Sequence, residues 1–269
     1  MKVLIPLYNK ILKIVNIFSK QLKFDKLENK KGRKLALRIS EVISLSVFKQ
    51  RNGIPTKKSL HKIFNLKNIC SYKTLVVNIN RWASLSARIL LLILKINREN
   101  SHKVKHIDST DIPVCSLKNA KNHKTMKDLS SFNKTSKNTY FGLKLHLISD
   151  LKRQILSLKF TSGNIDDRKM VIPLSKNMEG IFIADAGYVS KKLKEEFERE
   201  GKRFLIVKPR KNMKITMTKF EEKLYFTRML IELNFRNLKM FYGLITSLPR
   251  SINGYFANYI YSLLSYQII

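Results

Sequence analysis

The stretch Gly180-Ile181-Phe182-Ile183-Ala184-Asp185 decides the fold. It is an unbroken apolar run that stops on a carboxylate, and an apolar run without alternation suits a strand buried on both faces, as in a parallel sheet covered by helices. Toward the C-terminus, residues 190–200 read as a helix that Gly201 is placed to end. A strand over 202–208 follows and Pro209 closes it, then a helix over 221–242 and an apolar helix over 252–268. Toward the N-terminus, 166–176 reads as a helix, and 104–110, 140–148 and 154–160 as strands. In the second of these Phe141, Leu143, Leu145 and Leu147 alternate with Gly142, Lys144 and His146, a period of two. With the turn at 149–152 it predicts an antiparallel hairpin. The order is three strands, helix, strand, helix, strand, helix: an α/β class with a mixed (α+β) sheet.

Before residue 100 the texture is helical, with segments at 3–23, 35–50, 56–66 and 73–96 and breakers such as Asn52-Gly53-Ile54-Pro55. The polar stretch 97–103 marks the expected boundary between a helical region, 1–100, and the strand-bearing part, 101–269. The second and third helices have the spacing of a helix-turn-helix, which many small helical domains share, so DNA binding or assembly is the expectation for this region.

The chain is basic from end to end: 53 lysines and arginines against 19 acidic residues give a formal charge of +34. Nucleic acid is the first partner to expect, because neutralising several phosphates releases counterions and gives strong, salt-dependent affinity. An acidic membrane surface is the second, and a lysine-rich source composition is the plain alternative, since net charge bears on association rather than fold. The two cysteines, Cys70 and Cys115, are far apart and form no CxxC pair, which argues against a zinc site or a disulfide framework. The lysine-interrupted N-terminus does not read as a cleavable leader, and the apolar run 89–94 is too short to span a bilayer. The expected setting is the bacterial cytosol, on the nucleoid, with no membrane partner and no small-molecule cofactor.

Three acids fall where chemistry can use them: Asp108 on the first strand, Asp185 at the end of the fourth, and Glu232 on the long helix. On that helix Tyr225, Arg228, Glu232 and Lys239 have the spacing Y-x2-R-x3-E-x6-K. At about 100° per residue the four fall within about 40° of Glu232, and Arg236 joins them. Leu224, Ile231, Phe235, Leu238 and Tyr242 form an adjoining apolar stripe to pack on the sheet. An incidental ion pair between Arg228 and Glu232, four apart on an amphipathic helix, is the purely structural account.

These features resemble the DDE transposases of bacterial insertion sequences, in the branch marked by the Y-R-E-K signature. The resemblance rests on His106-Ile107-Asp108-Ser109-Thr110, Ile183-Ala184-Asp185-Ala186-Gly187-Tyr188 and the helix signature, with support from 140–146 and 162–168. It implies a ribonuclease-H-like catalytic domain in which the first and fourth strands are neighbours and the helix lies across them, so that Asp108, Asp185 and Glu232 converge as catalytic metal ligands. It implies two magnesium ions, with manganese as a substitute, about 4 Å apart on the three carboxylates. It implies that Tyr225, Arg228 and Lys239 contact phosphates near the cut, on double-stranded DNA held by a homodimer on paired element ends. Arg236, Lys144, and His123 and Lys124 in the basic loop 116–139 are further candidate DNA contacts, while Asn164 or Asp166 reads as a helix cap. The short stretch 209–220 leaves no room for an insertion domain before Glu232. Two competitors share these features: a structure-selective nuclease of the same fold without strand transfer, and a decayed copy that binds DNA without cutting it.

Overall fold

The computed structural model describes residues 4–28, 34–134, 138–210, 212–214 and 216–268. Helices α1 (Leu4–Gln21), α2 (Ile39–Arg51), α3 (Lys57–Ile63), α4 (Tyr72–Arg81) and α5 (Ala83–Glu99) come first. Then come strands β1 (Val104–Pro113), β2 (Ser131–Lys134), β3 (Thr139–Asp150), β4 (Ile155–Ser162), β5 (Gly180–Ala184) and β6 (Arg203–Val207), with α6 (Val171–Leu174) before β5 and α7 (Lys191–Glu198) before β6. Helices α8 (Lys219–Phe226), α9 (Met229–Met240) and α10 (Ile252–Ile268) close the chain. Two compact units result, one of Met1–Ile93 with Asn237–Ile269 and one of Leu94–Arg236.

The second unit is built on one mixed sheet of order β2-β3-β1-β5-β6, with β4 also paired to β3. Strand β3 is long enough to take β2 against residues 139–142 and β4 against 143–149 on the same edge. β1 runs antiparallel to β3, and β5 and β6 continue parallel to β1. This is the expected ribonuclease-H-like arrangement, with the first long strand beside the apolar 180–184 strand. Two glycines make it possible. A Cβ on Gly142 would stand 2.1 Å from the Ile112 carbonyl oxygen, inside the β1–β3 ladder. Gly180, at φ +109, starts β5 where a Cβ would meet the Lys103 oxygen at 2.2 Å.

One sheet face carries the apolar core: Ile107, Ile148, Phe182 and Ala184 pack with Val171 and Leu174 of α6 and Leu193 and Phe197 of α7. Lys144 and His146 stand on the polar side of the alternating strand 140–148, yet both are buried. The segment after β4 crosses that face and supplies partners to Lys144, while β4 itself supplies one to His146. Lys144 Nζ donates to the Asp167 carboxylate and the Ile165 carbonyl, each at 2.9 Å, and His146 Nε2 lies 2.8 Å from the Thr161 hydroxyl.

The first unit is helical. α10 carries no charged residue, and it packs against α2 and α4. Tyr261 donates to the Ile79 carbonyl at 3.0 Å, Ser265 to the Val47 carbonyl at 3.2 Å, and Gln50 to the Asn258 side chain at 2.9 Å. The boundary expected near residue 100, with everything after it in one domain, therefore differs from the compact units: residues after 236 join the helices. A helix without a charged face needs partners to bury it, and the bundle provides them. No single helix among the described residues is long and apolar enough to cross a membrane; α4 and α5 together reach that length but bend by 42°.

Candidate active site

Side-chain alternation along β1 and β5 decides which acids meet. His106 pairs in register with Ile183, so these two share a sheet face with Asp108 and Asp185, two residues further along each strand. Ile107, Phe182 and Ala184 point to the other face, into the core. At Asp185 the chain leaves the sheet, and the carboxylate Oδ1 accepts from the Ala186 amide at 2.7 Å, capping the turn Ala186–Tyr188. Asp108 Oδ1 accepts from the Ser109 amide at 2.8 Å.

The third acid arrives through a break in the predicted helix 221–242. α8 ends at Phe226 and α9 begins at Met229. Through the break and into the first turn of α9 the amides of Thr227, Arg228, Leu230 and Ile231 bond three residues back, which winds the chain more tightly than an α-helix. The Thr227 hydroxyl donates to the Leu224 carbonyl at 2.6 Å and receives from His106 Nε2 at 2.8 Å, so β1 holds the break in place. The reading of Tyr225, Arg228, Glu232 and Lys239 as one stripe of one helix is corrected accordingly: Tyr225 is on α8, Arg228 in the break, Glu232 and Lys239 on α9. The break serves the acids. The Tyr225 hydroxyl donates to Asp185 Oδ1 at 3.1 Å, and Arg228 reaches two carboxylates at once, Asp108 Oδ2 at 2.8 Å and Glu232 Oε1. The apolar stripe holds as read at Ile231, Phe235 and Leu238, all buried, and buried Asn234 accepts from Arg153 Nε at 3.1 Å.

Electrostatics follow from burial. Asp108 keeps only 19% of its side chain exposed, and burial pushes its carboxyl up to about 7. The Arg228 guanidinium and the Ser109 amide pull it down, while Asp185 and Asp167 push it further up. His106 is driven down to about 4 by burial, with Asp150 opposing and Arg228 reinforcing, so it is neutral at pH 7 and donates through Nε2. Burial and then Asp185 raise the Tyr225 hydroxyl above its ordinary value, so it remains a donor.

The other expected contacts are placed as follows. Arg236 and Glu232 are exposed on α9, and Lys239 is half-buried near its end. Lys124 is exposed, and the half-buried His123 ring packs edge-on to Phe141 at 6.3 Å. The basic loop 116–139 contains a short 3-10 helix, Leu117–Asn122, and β2, with Met126 fully buried beneath it; Lys137 lies outside the described residues. Lys144 is on the opposite sheet face from Asp108, paired to Asp167, and so is not available beside the acids. Asp166 caps the turn it precedes, accepting from the Arg168 amide at 3.0 Å. Sequence reading placed His106 and Asp167 in motifs without giving them a role in the site, and missed Thr227 and Lys208, whose Nζ lies 5.5 Å from the Tyr225 ring centre. The adjacent acids in Asp166-Asp167-Arg168 were the one signal for Asp167: with Asp166 taken by Arg168, its neighbour is left for Lys144.

The donor set Asp108, Asp185 and Glu232 is all carboxylate oxygen, the chemistry a hard divalent cation requires. The half-buried Asp108 already draws a cation, the guanidinium, and that same group keeps Glu232 apart from it. Accordingly, among the described residues no three acidic, histidine or cysteine side chains are gathered as a metal site in this arrangement. The residues fit a metal by chemistry, with Arg228 standing between two of them.

Compared with known proteins, residues 98–251, more than half of the chain, match the family model described as "Transposase DDE domain". No curated protein and no solved structure matches the chain.

Proposed function

Because the chain belongs to the transposase DDE family, we propose that it cuts DNA at the ends of a mobile element and joins those ends to target DNA, using Asp108, Asp185 and Glu232 as ligands of two magnesium ions. The observation that carries this reading is the shared sheet face of Asp108 and Asp185, with Glu232 tied to Asp108 through Arg228. Bound by these oxygens, the ions supply activation of a water or 3′-hydroxyl and neutralise charge on the leaving oxygen of an in-line displacement.

The chain's own residues do the positioning. Tyr225 orients Asp185 through its hydroxyl, and the Ala186 amide donates to the same carboxylate oxygen. His106, neutral and bonded to Thr227, holds the α8–α9 break against β1. Arg228 has a planar donor fork that suits carboxylate and phosphate alike, and it is the group to contact the phosphate beside the cut. Lys239 and Arg236 on α9 extend that contact, as the Y-R-E-K spacing implies, and exposed Lys208 and Lys124 add positive charge for the duplex. A homodimer on paired ends is the assembly this reaction needs, at work on bacterial DNA.

The test is strand cleavage of element-end duplex with Mg²⁺, comparing the native chain with Asp185→Ala. The native chain should cut and transfer strands, and the variant should bind DNA without cutting. Equal cutting by the variant refutes the three-carboxylate mechanism, and sequencing the products for joined strands separates a transposase from a nuclease of the same fold.

A further inference from the structure

A cavity of about 680 Å³ lies within the helical unit, and none of the three acids lines it. This is within the ~300–1,000 Å³ range of small-ligand sites. Ile54 and Ile79, both buried, form part of its wall, and Lys49, Lys57 and Arg250 line it without any acidic neighbour in the lining. Among the described residues the half-buried ammonium groups have only amide oxygens as partners: Lys49 Nζ donates to Gln50 Oε1 at 3.0 Å and Lys57 Nζ to Asn80 Oδ1 at 2.8 Å. Burial pushes both lysines down to about 8, and Lys57 pushes Lys49 further in that direction. Two mutually repelling cations held in a partly apolar cavity lose hydration without gaining a counter-charge, and an anion entering between them would supply it.

The rest of the lining is unlike a simple phosphate nest. Tyr72 and Phe241 border the cavity at 44% and 56% exposure, large rings left in water. Exposed aromatic faces beside cations are what a nucleobase with its phosphate uses, since every base has a face to stack and stacking tolerates any sequence. The cavity therefore combines two demands, an anion at the lysines and a flat ring at its border.

We propose that this cavity binds one nucleotide of the DNA substrate drawn out of its stack, with the phosphate at Lys49 and Lys57 and the base against Tyr72 and Phe241. Extracting a base from its stack is least costly for an unpaired or strand-end nucleotide, so single-stranded ends are the preferred occupants. The choice of DNA rests on the proposed function, whereas the cavity's charge and aromatic border do not.

The test is amine labelling of the full chain, read lysine by lysine by mass spectrometry without Mg²⁺, so that it succeeds or fails independently of the three acids. The probes are a short single-stranded oligonucleotide, deoxyadenosine monophosphate and inorganic phosphate, with exposed Lys95 as the reference. The oligonucleotide should protect Lys49 and Lys57 relative to Lys95, at roughly tenfold lower concentration than inorganic phosphate, the contribution of one stacked base. Phe241→Ala should remove that advantage over phosphate while Lys49 and Lys57 still respond to phosphate. Equal potency of phosphate and oligonucleotide, or no protection of the two lysines, overturns the proposal. Protection by the monophosphate without protection by the oligonucleotide overturns the assignment to DNA.

Discussion

Replacing Arg228 by Met removes the one guanidinium shared by Asp108 and Glu232 while keeping an unbranched stem of similar reach. Glu232 has 56% of its side chain exposed and loses only an i,i+4 surface pair, on the order of 0.3–0.5 kcal/mol. Asp108 is different, because its carboxylate loses a 2.8 Å charge-assisted bond in a half-buried site, a loss of roughly 1.5–3 kcal/mol. The cost depends on pH in a definite sense. The folded-state pKa of Asp108, about 7, lies above its ordinary value of 3.8, so protonation stabilises the folded chain: that contribution is full below the ordinary value and is lost as pH rises through about 7. Without Arg228 the carboxyl moves further up, and the penalty appears only where Asp108 must ionise. Urea unfolding in the presence of a chelator should therefore show Arg228→Met destabilised by about 2 kcal/mol at pH 8.5 and by only a few tenths near pH 5. A penalty equal at both pH values, or none at pH 8.5, refutes the account of Asp108 as a buried acid neutralised by this arginine.

Other expectations follow from single contacts. Gly142→Ala forces a Cβ into the Ile112 carbonyl and should cost about 2–4 kcal/mol in urea unfolding, whereas Gly187→Ala, with open space around it, should stay within about 1 kcal/mol of the native chain. Thr227→Val removes the partner of His106 and the bond to Leu224, so cleavage should fall by at least about tenfold, a loss of ~1.4 kcal/mol in the transition state, with duplex binding retained. Equal cleavage by this variant would contradict the positioning role of the break. Burial, opposed by Asp167 and reinforced by Lys144 and Lys159, holds His146 down near 4; Lys144→Met removes one of the reinforcing charges, so the His146 ring, followed by NMR, should titrate at higher pH than in the native chain.

The apolar run 180–184 was legible as a central strand because burial on both faces leaves no alternation to disguise it. Asp108 and Asp185 were legible as a pair because strand geometry alone sets their common face once the two strands are neighbours. What the sequence withheld was tertiary. Lys144 and His146 have the alternation of a solvated face, and only the crossing of residues 163–170 turns it into a buried one with Asp167 as partner. The periodicity of 221–242 is helical throughout, and the break at Thr227 exists because a hydroxyl finds His106, 121 positions away in sequence. Likewise an uncharged, largely apolar α10 announces that it is buried without naming the helices that bury it, and the loop 116–139 hides β2 because Ser131–Lys134 is a strand only against Thr139–Gly142 of β3.

The most direct test of the central claim is Mn²⁺ binding to the full chain, measured by the loss of the free-ion electron paramagnetic resonance signal in the presence of element-end DNA. The account predicts two bound ions for the native chain, with binding lost in Asp108→Asn and Asp185→Asn and weakened in Glu232→Gln. Unchanged Mn²⁺ binding in the two aspartate variants would contradict it.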